Sequence, residues 1–406
     1  MKIGNLVWER LIKILYSIAA LFIGARFLSK NDFLLLQQIV LFQSVLAFVI
    51  NLPYSSIILR LAQDKLSFIN KIYGFTVFLR ILLAIVSICL FGFYLHVSLF
   101  QTEEVFLILF GLLPSLILYI FLTDIIPHIF DFEGKKNWRL VYMALFFLVV
   151  KIGIFFVFNS ILVKTIIETF EALVVLVWCY KTYLLNVKKW NFSCAIIREV
   201  KKLSLLSSGL YFNGIFSVFI VRVDQLMLTS HIDKNNLSNY MLVGSIIGLF
   251  MIPLNVFGER VSFLLNNSKS KSFTRFQADS KKNIALFILM GLILYLLFIL
   301  LFEKISSIVF NRDLSYLFMP GCILGLSIIV NALGMILGQI NAIMNGGFFT
   351  LMRTCLGSLT MIILITVGYK LQGVLGLSIA SMICLFFTNN LFWLFSSKIR
   401  KVLLAK

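Results

Sequence analysis

The chain is short of acid, of proline and of histidine. Of its 406 residues only 17 are Asp or Glu, five are Pro and three are His. Charged residues of both signs make up 13%, about half of a soluble domain's share, against 61% hydrophobic residues. That scarcity of charge excludes a water-soluble fold, because so apolar a surface aggregates. His96, His128 and His231 lack metal-ligand spacing, which argues against the common zinc patterns. The six cysteines contain no Cys-x-x-Cys pair and lie in apolar segments or basic links, so neither a disulfide framework nor a metal site is expected. No small-residue cleavage site follows the apolar stretch Leu11 to Leu28, which reads as a first span rather than a signal peptide.

What is present in quantity is apolar runs and 42 phenylalanines, which tolerate a hydrocarbon core. A helix needs about 20 apolar residues to cross it. Twelve segments qualify: 8–28, 33–57, 72–97, 105–127, 139–159, 163–186, 203–230, 237–258, 283–310, 314–340, 353–370 and 373–396. The expected fold is all-α and integral to the membrane, with about twelve transmembrane helices.

The net charge of +19 would suit nucleic acid, but the basic residues sit in short links between spans and form no aromatic-interleaved stripe. They orient the chain instead. Twenty-six of the 36 Lys and Arg fall on the side of both termini and seven on the other: Arg26, Lys30, Lys164, Lys234, Lys304, Arg312 and Lys370. Arg80, Lys151 and Arg222 fall inside spans. The positive-inside rule then places both termini in the cytoplasm. The outer links are too short to build a domain, Asn311–Asp313 and Lys370–Gly373 among them. The long basic links Lys181–Lys202 and Gly258–Lys282 are expected to lie along the anionic inner leaflet.

The longest basic link divides the chain near residue 200, giving two six-helix lobes, 1–200 with the linker and 201–406. Pro53 and Pro114 are echoed about 200 residues later by Pro253 and Pro320. Such prolines either bend during a transport cycle or shape static kinks.

Ionisable groups at span depth are costly and face a partner or a cavity. Candidates are Arg26, Arg80, Lys151, Glu168, Glu171, Arg222, Asp224 and Asp124. A tight turn near Ser160 puts Lys151 level with Glu168 and Glu171, so Lys151 pairs with one of them, while the second is open to a proton-relay role. Arg222 and Asp224 point about 200° apart on one helix and cannot simply neutralise each other. Late in the chain amides replace charges: Asn331, Gln339, Asn341, Asn345, Asn389 and Asn390 either join helices or line a path for hydroxyl-rich cargo.

The run Arg222-Val223-Asp224-Gln225-Leu226-Met227-Leu228, followed by a polar link to Tyr240 and a span reaching Pro253, resembles the start of the second half of polysaccharide-transporter proteins. So does the opening, where Gly24-Ala25-Arg26-Phe27-Leu28 closes one span and Asp32-Phe33 begins the next. The family is the Wzx-type flippases of lipid-linked oligosaccharides, in the multidrug/oligosaccharidyl-lipid/polysaccharide (MOP) exporter superfamily. The resemblance implies two lobes around a cationic cavity. It also implies ion-coupled alternating access that moves undecaprenyl-pyrophosphate-linked O-antigen or polysaccharide repeat units to the outer leaflet of a bacterial inner membrane. Arg26, Arg80, Lys151 and Arg222 would draw in the pyrophosphate, by bidentate Arg bonds or as a Lys point charge. Glu168, Glu171 and Asp224 would couple the ion. No cofactor is implied; the partners are the lipid-linked oligosaccharide, membrane lipids and other polysaccharide-assembly membrane proteins. Three rivals remain: a drug exporter of the same superfamily, a lipid II flippase, which carries two further spans, and an O-antigen polymerase, an enzyme. The last needs a sizeable outer loop, and Glu103 and Glu104 are the one acidic pair at that surface.

Overall fold

The computed structural model describes residues 5–50, 65–97, 101–121, 138–181, 198, 201, 211–212, 215–216, 220, 223–226, 228, 234–311, 314–344 and 347–404. Two compact units divide the chain, Met1–Ile215 and Phe216–Lys406. Among the described residues there is no strand. The fold is the expected all-helical membrane type.

In the first unit α1 (Asn5–Phe27) and α2 (Lys30–Ile50) are joined by Leu28 and Ser29, with Ser29 and Asp32 exchanging hydrogen bonds where α2 begins. The third span is α3 (Lys65–Val97). The fourth is broken into α4 (Thr102–Phe110) and α5 (Leu113–Ile120), with Pro114 in the first turn after the break. The carbonyl of Gly111 at the break is satisfied by Gln43 Nε2 of α2 at 2.9 Å, as hydrocarbon requires. The hairpin α6 (Trp138–Phe158) and α7 (Ile161–Cys179) turns at Asn159, whose φ of 46° is left-handed, a conformation Asn tolerates. Helix α1 packs on α6, and α7 packs on both α6 and α5.

In the second unit α8 (Lys234–Lys271) contains Pro253 and is followed after one residue by α9 (Phe273–Lys304). The basic link Gly258–Lys282 therefore does not lie flat on a leaflet. It is the tip of a helical hairpin, capped by Ser272 Oγ accepting from the Arg275 amide at 3.2 Å. At about 57 Å, α8 outruns the ~30 Å hydrocarbon core. Hydropathy marks where the membrane ends, and the helix continues into polar sequence beyond it. Along α9 the buried residues Phe276, Ser280, Phe287, Gly291, Phe298 and Phe302 recur at alternating intervals of four and seven, one stripe facing the unit's interior. Leu289, Leu292, Ile293, Leu296 and Leu300 on the other faces are exposed, the sides given to lipid.

The tenth span is also broken, into α10 (Phe318–Gly325) and α11 (Ser327–Ile343). Then α12 (Gly347–Asn389) folds back on itself at Gln372 and Gly373, so that it supplies two spans. Gly373 has φ +58° and ψ −134°, backbone that only glycine adopts readily. Beside the turn the arms touch: a Cβ on Gly376 would stand 2.1 Å from the Gly368 carbonyl oxygen. A short amphipathic helix, α13 (Ser397–Leu404), buries Ile399 and Val402 and is fastened by Gln277 Nε2 to the Lys401 carbonyl at 2.9 Å.

Candidate functional site

The first unit holds a buried chain of charge. Lys151 of α6 pairs with Glu171 of α7 at 2.5 Å, the partnership expected from their matched depth. Glu168, one turn earlier on α7, pairs with Lys164 at 2.7 Å and accepts a hydrogen bond from the Tyr16 hydroxyl of α1 at 2.6 Å. The Lys151 ammonium lies 3.9 Å from the Tyr16 ring centroid. Three helices are thus tied by two lysines, two glutamates and one phenol. Both glutamates are neutralised, so neither is an open acidic group in this conformation.

Tyr16 was not among the sequence candidates, and Lys164 was assigned to the outer link. Lys164 is only 5% exposed and turned inward. Its i,i+4 spacing to Glu168 was the signal that could have found it.

The remaining candidates separate. Arg80 is fully buried and donates to the Tyr119 carbonyl in the last turn of α5, where a cation meets unsatisfied carbonyls. Arg26 is exposed at the end of α1, 5.8 Å and 6.0 Å from the Phe22 and Phe27 ring centroids. Arg222, Asp124 and Pro53 lie outside the described residues.

The second unit holds a buried acid, Asp224. Asp224 accepts from the Tyr240 hydroxyl and from the Gln225 amide, each at 2.8 Å. These groups line a cavity of about 160 Å³ together with Ser327, Asn331 and Ser381. The Ser381 hydroxyl is buried and has no hydrogen-bond partner among the described residues. A buried hydroxyl left so beside a carboxylate suits a small polar guest or a cation.

The amides of this unit join helices. Asn389 Nδ2 donates to Asn331 Oδ1 at 2.8 Å, Gln339 Nε2 to the Gly258 carbonyl at 2.9 Å, and Asn341 Nδ2 to Thr350 Oγ1 at 2.9 Å. Asn345 lies outside the described residues. Arg353, the first residue of the expected span 353–370, is inside α12. It donates to the Thr388 carbonyl at 3.1 Å and to Asn389 Oδ1 at 2.7 Å, with Trp393 4.6 Å away beneath its guanidinium. Like Arg80, it closes a helix C-terminus.

No protein-family model and no curated protein sequence matches the chain. Solved structures do match, and over nearly its whole length. The fold is that of MOP superfamily transporters. An inward-facing multidrug resistance MATE family transporter of that superfamily superposes with a TM-score of 0.73 at 12% identity, covering 98% of each chain. A MOP superfamily transporter from Pyrococcus furiosus, described as having a binding pocket of reverse polarity, gives 0.65 at 12% identity over 98% of this chain and 94% of its own. A point mutant of the Vibrio cholerae MATE transporter VcmN gives 0.61 at 12% identity over 99% of this chain and 95% of its own.

Proposed function

We propose that the protein is a flippase of the bacterial inner membrane, with both termini cytoplasmic. Its cargo is an undecaprenyl-pyrophosphate-linked sugar repeat unit, carried outward by alternating access. A sugar-pyrophosphate head cannot cross hydrocarbon unaided, because its charges and hydroxyls would be desolvated. The observation that carries the reading is the charge balance of the first unit. Among the described residues, the inward-turned cations Arg80, Lys151 and Lys164 stand against Glu168 and Glu171, and both glutamates are held by lysines. An exporter of cationic drugs needs open acid, and the described residues of this interior carry net positive charge. The Pyrococcus furiosus neighbour, whose binding pocket is described as of reverse polarity suggesting a different function, is a case of the same fold with another pocket character.

Asp224 is the group we assign to ion coupling, because it sits in a cavity with hydroxyl and amide oxygens. Glu168 and Glu171, held by lysines, act in that role only if a transport cycle opens their pairs. Other polysaccharide-assembly membrane proteins are the partners that this reading implies.

The test is complementation of a strain lacking its own repeat-unit flippase. The wild-type chain should restore surface polysaccharide, Arg222→Ala should abolish it at normal membrane abundance, and Arg222→Lys should restore part. Full export by Arg222→Gln would remove Arg222 from the cargo path. No restoration by the well-expressed wild-type chain in any polysaccharide background would overturn the flippase reading.

A further inference from the structure

Three turns of the second unit that were expected to face outward meet at one place. The start of α8, the 3-10 turn Ser315–Leu317 before α10, and the fold-back of α12 surround a cavity of about 660 Å³. It lies at the end of the unit away from the C-terminal helix, which is fastened to Gln277 near the hairpin tip. Its walls carry Asn236, Tyr316, Tyr369, Gln372 and Pro320, and among the described residues no charged one lines it.

Tyr316 is unusual for an exposed aromatic. The residue is 53% exposed, yet its hydroxyl donates to Asn236 Oδ1 at 3.0 Å and accepts from Asn239 Nδ2 at 2.9 Å. Two amides one helical turn apart on α8 therefore fix the ring's orientation without burying it. An aromatic serving only as a headgroup anchor would turn its hydroxyl to water. Fixing an exposed face in advance lowers the ordering cost of whatever lies against it.

We propose that this cavity binds a sugar ring of the cargo, with the Tyr316 ring as its platform. The inference rests on the flippase reading and places the glycan of the repeat unit at the exit of the second unit. A pyranose has an apolar C–H face and a rim of hydroxyls that both donate and accept. Flat phenol rings match the face, and the amides of Asn236 and Gln372 match the rim, since each offers donor and acceptor. The volume lies in the ordinary range for small-molecule sites, about 300–1,000 Å³. Among the described residues of the lining, a pyrophosphate or an organic cation would find no counter-charge. The sequence contributes the turn itself: Gly373 makes the fold-back that brings Tyr369 and Gln372 to the rim.

The experiment uses the full chain in phospholipid nanodiscs, free of sugar-headed detergent. Saturation-transfer NMR reads binding of methyl glucopyranoside and of methyl N-acetylglucosaminide. Transfer to the ring C–H protons is expected with the wild type. Tyr316→Ala should weaken glycoside affinity by about tenfold, the scale of one lost aromatic face. Tyr316→Phe keeps the face and should lose less. Thermal melts of both variants establish that they are folded. Absence of transfer from either glycoside to the wild type, or equal transfer with folded Tyr316→Ala, would overturn the proposal and leave Tyr316 as an interface anchor. A paramagnetic acyl chain that quenched the cavity while glycosides failed to bind would assign it to lipid, with the same consequence. Glycoside binding lost in Tyr316→Ala, in a protein that flips no lipid-linked sugar, would sink the proposed function and leave the sugar site standing.

Discussion

The two units solve the same problem, polar groups inside a membrane protein, in opposite ways. The first pairs full charges: Lys151 with Glu171, Lys164 with Glu168, and a phenol across to α1. The second uses neutral amides in the contacts Asn389–Asn331, Gln339–Gly258 and Asn341–Thr350, and keeps Asp224 in a cavity. Buried ion pairs are intolerant of losing one member, whereas amide contacts between membrane helices are individually weak. The first unit is therefore braced by charge, and the second keeps its carboxylate at the wall of a cavity. One device is common to both: Arg80 and Arg353 each close the C-terminal carbonyls of a helix end.

Substitutions sharpen the contrast in order of size. Lys151→Met leaves Glu171 charged without its lysine in a buried site and should cost about 3–5 kcal/mol. A thermal-unfolding series should show that loss largely recovered in the double variant Lys151→Met/Glu171→Leu. Wild-type melting of the single variant would mean that the pair is not buried. Tyr16→Phe removes a hydrogen bond to a carboxylate and should cost about 1.5–3 kcal/mol, read in the same assay. Asp224→Asn keeps an acceptor for the Tyr240 hydroxyl, so stability should move by about 1 kcal/mol or less. Ion-driven transport by that variant should nevertheless fail, and retained coupling would return the role to α7. Gln339→Ala should be smallest, about 0.6 kcal/mol for the interhelical bond to the Gly258 carbonyl.

Much of this was legible in the sequence, for identifiable reasons. The turns at Asn159, Asn311 and Gly373 fell where charge and hydropathy put them, because a tight turn needs a residue that accepts positive φ. The Lys151 pairing followed from counting residues outward from one such turn. Lys164 was missed because its number placed it at a span end, and only packing shows that it points inward. The hairpin formed by α8 and α9 was missed because polarity was read as a surface link, although polar sequence propagates a helix once its neighbour holds it. Tyr16 and Tyr316 carry no one-dimensional signal, and Tyr240 entered only as the end of a polar link. Each acquires its role from helices brought alongside it.

The most direct measurement of the central claim is a flipping assay in proteoliposomes of the purified chain. An undecaprenyl-pyrophosphate oligosaccharide would be offered in competition with a lipophilic organic cation. The account predicts that the anionic glycolipid crosses in an Asp224-dependent manner and that the cation neither crosses nor competes. Uptake of the cation, with the glycolipid left in its original leaflet, would contradict it.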